Sequence, residues 1–165
     1  MTSRTKDDEH FMRLAIGQAI AGDNSGNSSI GCIVAMDGLV VASGHNQVDT
    51  DHDPTAHAEI VTIRATGQVL ATPEFRGATL YSTLQPCGMC TLACLWAKIS
   101  RIVYGASRED VHPMYFVDRH LDIEDFIRDA YRNDVELLSG VLKEECAALY
   151  YRPWQDVPPE VQGNI

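Results

Sequence analysis

The order of hydrophobic and polar positions in the first third of the chain predicts a helix followed by a β-hairpin. Over residues 8–21 the apolar side chains recur at helical spacing, as they do on the buried face of an amphipathic helix. Residues 22–29 are rich in Gly, Asn and Ser and are expected to form a loop. Asp37-Gly38 joins the apolar runs 30–36 and 39–44, and Asp-Gly in such a position is among the strongest short-range signals of a hairpin.

Helix and strand patterns alternate in the middle of the chain. In chain order they predict a polar loop over 45–55, a helix over 56–70, a strand over 79–84, a helix over 87–98 and a strand over 101–105. Pro86 stands at the start of the second of these helices, where the missing N–H of proline leaves no hydrogen bond unmade. A strand–helix–strand unit of this length predicts a right-handed crossover and parallel pairing of its two strands.

The pattern weakens in the last third of the chain. It predicts a loop with a short helical piece over 108–122, a helix over 123–131, an edge strand over 135–138, an amphipathic helix over 141–151 and no regular structure in the tail 152–165. A chain of 165 residues has the length of one domain, and we expect residues 1–165 to form it. Together the elements predict an α/β fold, a three-layer α/β/α sandwich around a mixed five-stranded sheet.

The net charge of the chain indicates what class of molecule it binds. The formal net charge is -10, from 13 Lys and Arg against 23 Asp and Glu, and the basic residues are scattered singly. Proteins that grip a polynucleotide usually carry a basic stripe that neutralises phosphates, so the composition argues against nucleic acid and favours a small, weakly charged substrate. The chain has no apolar run long enough to cross a bilayer and no signal peptide in residues 1–9, so we expect no membrane partner and a cytoplasmic location.

Two short motifs carry the chemistry. His57-Ala58-Glu59 stands at the start of one predicted helix, and Pro86-Cys87-Gly88-Met89-Cys90 leads into the next. Cysteines three positions apart on a helix project from nearly the same face, so Cys87 and Cys90 can reach one metal ion together. With His57 they make three zinc ligands, a number typical of catalytic zinc because the fourth position stays open for water. Glu59 is then placed to accept the proton of that water.

Other interpretations of these residues stay open on the sequence alone. Cys94 lies one helical turn beyond Cys90, and as a fourth ligand it would close the site and make the zinc structural. The alternative from a different class is a non-catalytic binding module that is folded around zinc, and the presence of Glu59 argues against it. The 5 cysteines are an odd number without an export signal, which argues against a disulfide framework. Cys32, Cys94 and Cys146 lie in apolar runs and are expected to be buried thiols, which for Cys94 is favoured over the role of a fourth ligand.

The motifs resemble those of the cytidine deaminase-like superfamily, in which His-x-Glu followed by Pro-Cys-x-x-Cys is the signature of zinc nucleobase deaminases. Residues 53–60 are similar to a stretch of bacterial guanine deaminases and of tRNA adenosine deaminases, and residues 79–87 to one of fungal cytosine deaminase. The resemblance extends from the first helix to about Ala106. It implies one Zn²⁺ per chain on the three ligands named above, with Glu59 as the proton carrier.

The resemblance also implies contacts with the substrate. It places Asn46, the backbone amide of Ala58 and the backbone carbonyl of Gln85 against the substrate ring. We expect a C-terminal segment to close the pocket. The sequence offers several candidate residues for this role and does not select among them. These are Tyr115, Phe116, Glu144, Glu145, Trp154 and Asp156.

The function that we expect is hydrolytic deamination of a small amino-substituted nucleobase or analogue, of the guanine, cytosine or aminotriazine type, with release of ammonia. The alternative is a tRNA adenosine deaminase that converts adenosine to inosine. The arginine-rich C-terminal helix typical of the tRNA enzymes is replaced here by residues 142–151, LKEECAALYY, and this favours free bases or small analogues over tRNA. The resemblance further implies a homodimer, for which Leu92, Leu95 and Trp96 could supply an apolar helix face.

Overall fold

Five strands and six α-helices make up the part of the chain that the structure describes, residues 6–116 and 120–162 of a computed structural model. In chain order they are α1 Lys6–Asn24, β1 Gly31–Met36, β2 Leu39–His45, α2 Val48–Asp51, α3 Ala58–Leu70, β3 Thr79–Leu84, α4 Gly88–Trp96, β4 Arg101–Ala106, α5 Ile123–Asp129, β5 Glu136–Leu138 and α6 Lys143–Ala147. Short 3₁₀ helices occur at Arg108–Asp110, Pro113–Tyr115 and Pro159–Val161. Among the described helices, none combines the length and the apolar character needed to cross a membrane.

The strands form one mixed sheet in the order β2-β1-β3-β4-β5. β1 pairs antiparallel with both β2 and β3, whereas β3, β4 and β5 run parallel to one another. The parallel pair β3 and β4 is the one that the strand–helix–strand unit predicted, and β5 lies at the edge as expected. The hairpin is also confirmed: Asp37 and Gly38 both have positive φ, 52° and 77°, as a type I′ turn requires.

Helices cover both faces of the sheet, which confirms the three layers. α1 and α6 lie on one face and approach it closely at two glycines. A Cβ atom at Gly31 would collide with the backbone of Ala15 in α1, and one at Gly105 with the side chain of Cys146 in α6. α3, α4 and α5 pack on the other face. That second face carries the metal-ligand motifs, because both begin helices of that layer.

A buried ion pair fastens α1 to the sheet. Asp8 is 1% exposed and accepts hydrogen bonds from the guanidinium of Arg101 on β4 and from the hydroxyl of Tyr81 on β3, the latter at 3.0 Å. Arg101 also contacts the carboxylate of Glu136 on the edge strand. The charges of Asp8 and Arg101 are therefore compensated where burial would otherwise make them costly.

Several helix boundaries differ from the prediction. α1 continues to Asn24, three residues into the predicted loop, and α2 forms within the polar stretch 45–55. α3 and α4 begin at Ala58 and Gly88, because the residues before them, His57 and Cys87, have extended backbones. The tail, which was expected to lack regular structure, contains the 3₁₀ turn at Pro159–Val161.

The prediction of one amphipathic helix over 141–151 was wrong in its extent. Leu142 has a positive φ of 51° and lies outside the helix, so α6 begins only at Lys143. It ends at Ala147, after which the N–H of Tyr150 bonds to the carbonyl of Ala147 in a tighter turn. That turn brings the Tyr150 hydroxyl to 2.6 Å from the Thr83 hydroxyl in the core. The apolar periodicity is real, but a short helix and a turn satisfy it.

Candidate active site and metal centre

The two motifs meet at the N-termini of α3 and α4. His57 and Cys87 are the N-cap residues of these helices, with ψ of 153° and 174°, and Cys90 lies in the first turn of α4. The extended N-cap explains how His57 and Glu59 act in one site although they are two positions apart. The helix starts between them, so their side chains do not follow helical spacing. Helix N-termini carry positive partial charge, which favours thiolates.

The three predicted zinc ligands are brought together. The ligand atoms of His57, Cys87 and Cys90 all lie within 4.8 Å of one another, and His57 Nδ1 is 3.8 Å from Cys87 Sγ. In a tetrahedral zinc site a nitrogen and a sulfur ligand lie about 3.5 Å apart. The three side chains therefore fit zinc if their ligand atoms move slightly closer together. Among the described residues, no other group of three such side chains is this close.

The two thiols share a hydrogen bond that separates their acidities. This contact lowers the pKa of Cys87 to about 4 and, together with burial, raises the pKa of Cys90. Cys87 is therefore the more acidic of the two thiols. The proton on Cys90 would leave when a metal binds, because a coordinating thiol is deprotonated.

Cys94 does not join this group. It is buried in α4, its pKa is raised by burial, and it lies outside the set of side chains that are close enough to share an ion. A fourth cysteine ligand, which would close the site, is therefore not supported. The remaining three protein donors are the number typical of catalytic zinc.

Glu59 is buried beside the metal ligands, with 3% of its surface exposed. Burial raises the pKa of Glu59, and the charge on Cys87 raises it further. The hydroxyl of Ser82 on β3 donates a hydrogen bond of 2.9 Å to Glu59 Oε1 and opposes this rise. A carboxyl group with a raised pKa that is held in one orientation is suited to accept and return protons.

Two adjoining cavities lie next to these groups. The smaller, of about 20 Å³, is lined by Glu59, Tyr115 and Phe116, among others. The larger, of about 490 Å³, lies on the side of Arg108 and α5. Both are lined by His57, Gln85, Cys87 and Phe116, so the two spaces share these residues as a common wall, and only the smaller one is lined by the carboxylate.

The three expected substrate contacts occupy different environments. Asn46 is fully buried, and its Oδ1 accepts a hydrogen bond of 3.1 Å from the N–H of Val48. Its Nδ2 has no hydrogen-bond partner, and among the described residues it is the one buried side-chain nitrogen or oxygen of which this is true. Such a donor costs free energy unless a ligand or water accepts its hydrogen bond. Ala58 is buried in the first turn of α3. The side chain of Gln85 bonds to Arg108 and Asp122, so a substrate contact from Gln85 would have to come from its backbone.

A family comparison agrees with this geometry. The model of the cytidine and deoxycytidylate deaminase zinc-binding region matches residues 5–106 of the chain, which include both motifs. The chain belongs to this deaminase family. It is a zinc-dependent deaminase, and the interpretation as a non-catalytic zinc module is set aside.

Individual relatives of the deaminase act on two kinds of substrate. The tRNA-specific adenosine deaminase of Bacillus subtilis is 34% identical over 142 residues, which cover 86% of this chain and 85% of that protein. The guanine deaminase of the same organism is 36% identical over 111 residues, 67% of this chain and 71% of that protein. A solved structure of a tRNA:A34 deaminase, studied for A-to-I editing at the wobble position of transfer RNA, matches with a TM-score of 0.72 and 32% identity, covering 85% and 98% of the two chains. The expectation that nucleic acid is not a partner therefore gains no support from these relatives.

Several residues of the deaminase site were not foreseen. Ser82 supports Glu59, but the strand 79–84 carries three small hydroxyl side chains, and nothing in the sequence singles out Ser82 among them. Arg108, Ile123 and Phe126 line the larger cavity. Ile123 and Phe126 were missed because apolar residues on a helix show the same spacing whether they face a core or a pocket.

Of the candidates for closing the pocket, Tyr115 and Phe116 line the smaller cavity. Glu144, Glu145, Trp154 and Asp156 are exposed.

Proposed function

We propose that this deaminase hydrolyses the exocyclic amine of a small nucleobase or its nucleoside, of guanine, cytosine or aminotriazine type. The observation that carries the proposal is the charge of the chain. The formal net charge is -10, and the basic residues are scattered singly along the sequence. A chain of this charge repels a phosphate backbone, whereas a free base or nucleoside carries no phosphate.

The reaction consumes water and replaces a ring C–NH₂ group by C=O, releasing NH₃. We propose that His57, Cys87 and Cys90 hold the zinc, which supplies Lewis-acid activation of the attacking water when it is bound. The Glu59 carboxylate accepts a proton from that water and delivers it to a ring nitrogen of the substrate. It then takes up the remaining proton of that water from the newly added hydroxyl and passes it to the departing amine, so that C=O and NH₃ form and Glu59 ends the cycle ionised as it began.

The environment of Glu59 supports this role. Its Oε1 is held by Ser82, which leaves Oε2 to exchange protons with the substrate. For the substrate ring, we propose that Asn46 Nδ2 donates a hydrogen bond to an acceptor atom. The backbone amide of Ala58 and the backbone carbonyl of Gln85 complete the proposed contacts. A buried donor without a partner, such as Asn46 Nδ2, discriminates strongly against ligands that offer no acceptor.

A second candidate is deamination of an adenosine within tRNA. It is favoured by the comparisons, since the Bacillus subtilis tRNA-specific adenosine deaminase aligns with a larger share of this chain than the guanine deaminase does. The formal net charge of -10 and the scattered basic residues argue against it. Besides the proposed zinc ligand His57, the basic residues that line the larger cavity are Arg108 and His120, and the Arg108 guanidinium lies 5.2 Å from the centre of the Phe116 ring.

The experiment that separates the two is ammonia release from the zinc-loaded protein across a panel of substrates. The panel holds guanine, cytosine, 5-methylcytosine, adenine, aminotriazines, the nucleosides, and a tRNA anticodon stem-loop; each compound is also incubated with the Glu59→Gln protein to exclude contaminating enzymes. We expect turnover of a free base or nucleoside and none of the stem-loop. Turnover of the stem-loop alone would overturn the proposal and establish the tRNA candidate.

The homodimer stays a prediction, with a changed surface. Leu95 is buried in the fold, so it does not belong to the proposed face. Leu92 and Trp96 of α4 are 39% and 80% exposed, and Tyr131, just after α5, is 88% exposed. We propose that these three side chains contact a second copy of the chain. Light scattering of Trp96→Ser beside the unchanged protein tests this: a monomer in both cases would reject the dimer.

A further inference from the structure

The side chain of Gln85 connects the metal-ligand turn to both ends of a neighbouring segment. Gln85 is 5% exposed, and its backbone N–H donates to the carbonyl of Ala106 at 2.8 Å. Its Oε1 accepts a hydrogen bond of 3.2 Å from the backbone N–H of Arg108. Its Nε2 donates to Oδ1 of Asp122. The side-chain amide of Gln85 thus bonds to both ends of the segment that begins at Arg108 and ends at Asp122.

Residues at both fastened ends line the larger cavity: Arg108 at one end, and Leu121 and Ile123 on either side of Asp122 at the other. Phe116 lies between them in the chain and lines both cavities, and Arg108 packs over its ring. Asp122 is also the N-cap of α5, where its Oδ1 accepts from the N–H of Ile123 at 2.7 Å. His57 and Cys87 line the same cavity. The contacts of Gln85 therefore tie the residues around Phe116 and the start of α5 to the turn that carries Cys87.

Only an amide satisfies the two partners at once. The Arg108 N–H can only donate a hydrogen bond, and an ionised Asp122 carboxylate can only accept one. Glutamine offers one acceptor and one donor on a side chain of the required length. Glutamate at this position would keep the bond from Arg108 but would turn a second carboxylate towards Asp122.

We propose that Gln85 is a positioning residue for substrate binding, which acts through Phe116 and the start of α5. This rests on the proposed function only in that the cavity is the substrate pocket. Loss of the Asp122 contact releases the part of the cavity wall that is formed by Phe116 and the start of α5. The zinc ligands and Glu59 keep their own partners. Binding of the substrate therefore suffers more than the chemical step.

The test is a mutant cycle with Gln85→Glu, Asp122→Asn and the double variant, each checked for zinc content and helicity. Asp122 Oδ1 accepts from both Gln85 Nε2 and the Ile123 N–H, so an asparagine that turns its NH₂ group towards the glutamate at position 85 remakes the contact with that position at the cost of that one cap bond. Its remaining oxygen can still accept the second capping bond, from the N3 backbone of α5. We expect Gln85→Glu to raise KM about tenfold, the loss typical of a charge-assisted hydrogen bond, with kcat within about twofold. The double variant should recover to within about threefold of the original KM, as the lost bond is remade.

Hydrogen exchange gives a second measurement that does not depend on the identity of the substrate. Amides over residues 120–129 should exchange about tenfold faster in Gln85→Glu and return to the original rate in the double variant. If Gln85→Glu does not fold, Gln85→Met, of similar size without either hydrogen bond, takes its place. Unchanged KM and exchange, a fall in kcat alone, or no rescue by Asp122→Asn would overturn the proposal. If no compound of the panel is turned over, the proposed function fails while the exchange data still decide the role of Gln85.

Discussion

The hydroxyl of Ser82 on β3 donates a hydrogen bond of 2.9 Å to Oε1 of Glu59 on α3, and both side chains are buried. β3 ends at Leu84, two residues before Pro86-Cys87. The same strand therefore places a metal ligand and orients the proton carrier. Because Ser82 is fully buried on a strand, packing and this hydrogen bond hold the two side chains together before substrate arrives.

Replacement of Ser82 by Ala should slow turnover without loss of zinc. The Ser82 hydrogen bond lowers the pKa of Glu59 against the effect of burial, so its removal raises that pKa further and reduces the carboxylate fraction. We expect kcat/KM to fall about tenfold, consistent with one lost hydrogen bond to a charged group, and to fall most at the acid end of the pH profile.

Thr83→Val is the matched control for Ser82→Ala. Thr83 is the next residue of β3, on the opposite face of the sheet, and its hydroxyl meets Tyr150 instead of Glu59. This variant should be less stable but keep the pH profile of the original protein. Equal changes in the pH profiles of both variants would show that the effect of Ser82 is not specific to Glu59.

Cys90 and Cys94 should differ in their effect on zinc content. Cys90→Ala removes one of the three side chains that are close enough to share an ion, whereas Cys94→Ala removes a thiol outside that group. Both cysteines are buried in α4, so the loss of packing is similar. Elemental analysis should find zinc lost from the first variant and retained in the second. Loss of zinc from Cys94→Ala would mean that the site has four ligands.

Asp8→Ala should destabilise the fold far from the active site. It leaves Arg101, which is largely buried, without its partner on α1, and removal of one member of a buried ion pair costs about 3 kcal/mol or more. Asp7, its exposed neighbour on the same helix, gives the control, since Asp7→Ala should change stability by less than about 0.5 kcal/mol. Urea unfolding measures both. Equal stability of the two variants would show that the pair contributes nothing net.

The sequence predicted the structure best at positions whose backbone conformation or side-chain spacing few residue types can provide. Asp37-Gly38 predicted its hairpin because the two positive φ values of a type I′ turn are tolerated by few residue pairs. The spacing of Cys87 and Cys90, with His57 at another helix start, predicted the group of side chains that the structure brings together. Their roles in catalysis, and those of Asn46 and Ala58, stay predictions.

The prediction failed where a side chain far away in the sequence decides the local structure. The helix predicted over 141–151 is broken because Tyr150 turns to reach Thr83, and no local pattern shows that pairing. The pocket wall was missed for the same reason. Phe126 has the spacing of a core residue on α5, and only the packing of α5 beside α4 places it in the cavity.

The role of the buried carboxylate is tested most directly with Glu59→Gln. The measurement is ammonia release from a compound that the original protein turns over, together with zinc content, in Glu59→Gln and in Glu74→Gln, a change at an exposed carboxylate. Glutamine keeps the size of the side chain but cannot carry the proton, so turnover should fall by a factor of about 10² to 10⁴ while zinc is retained. Glu74→Gln should match the original protein. Turnover of Glu59→Gln within a few-fold of the original, with zinc bound, would contradict the mechanism.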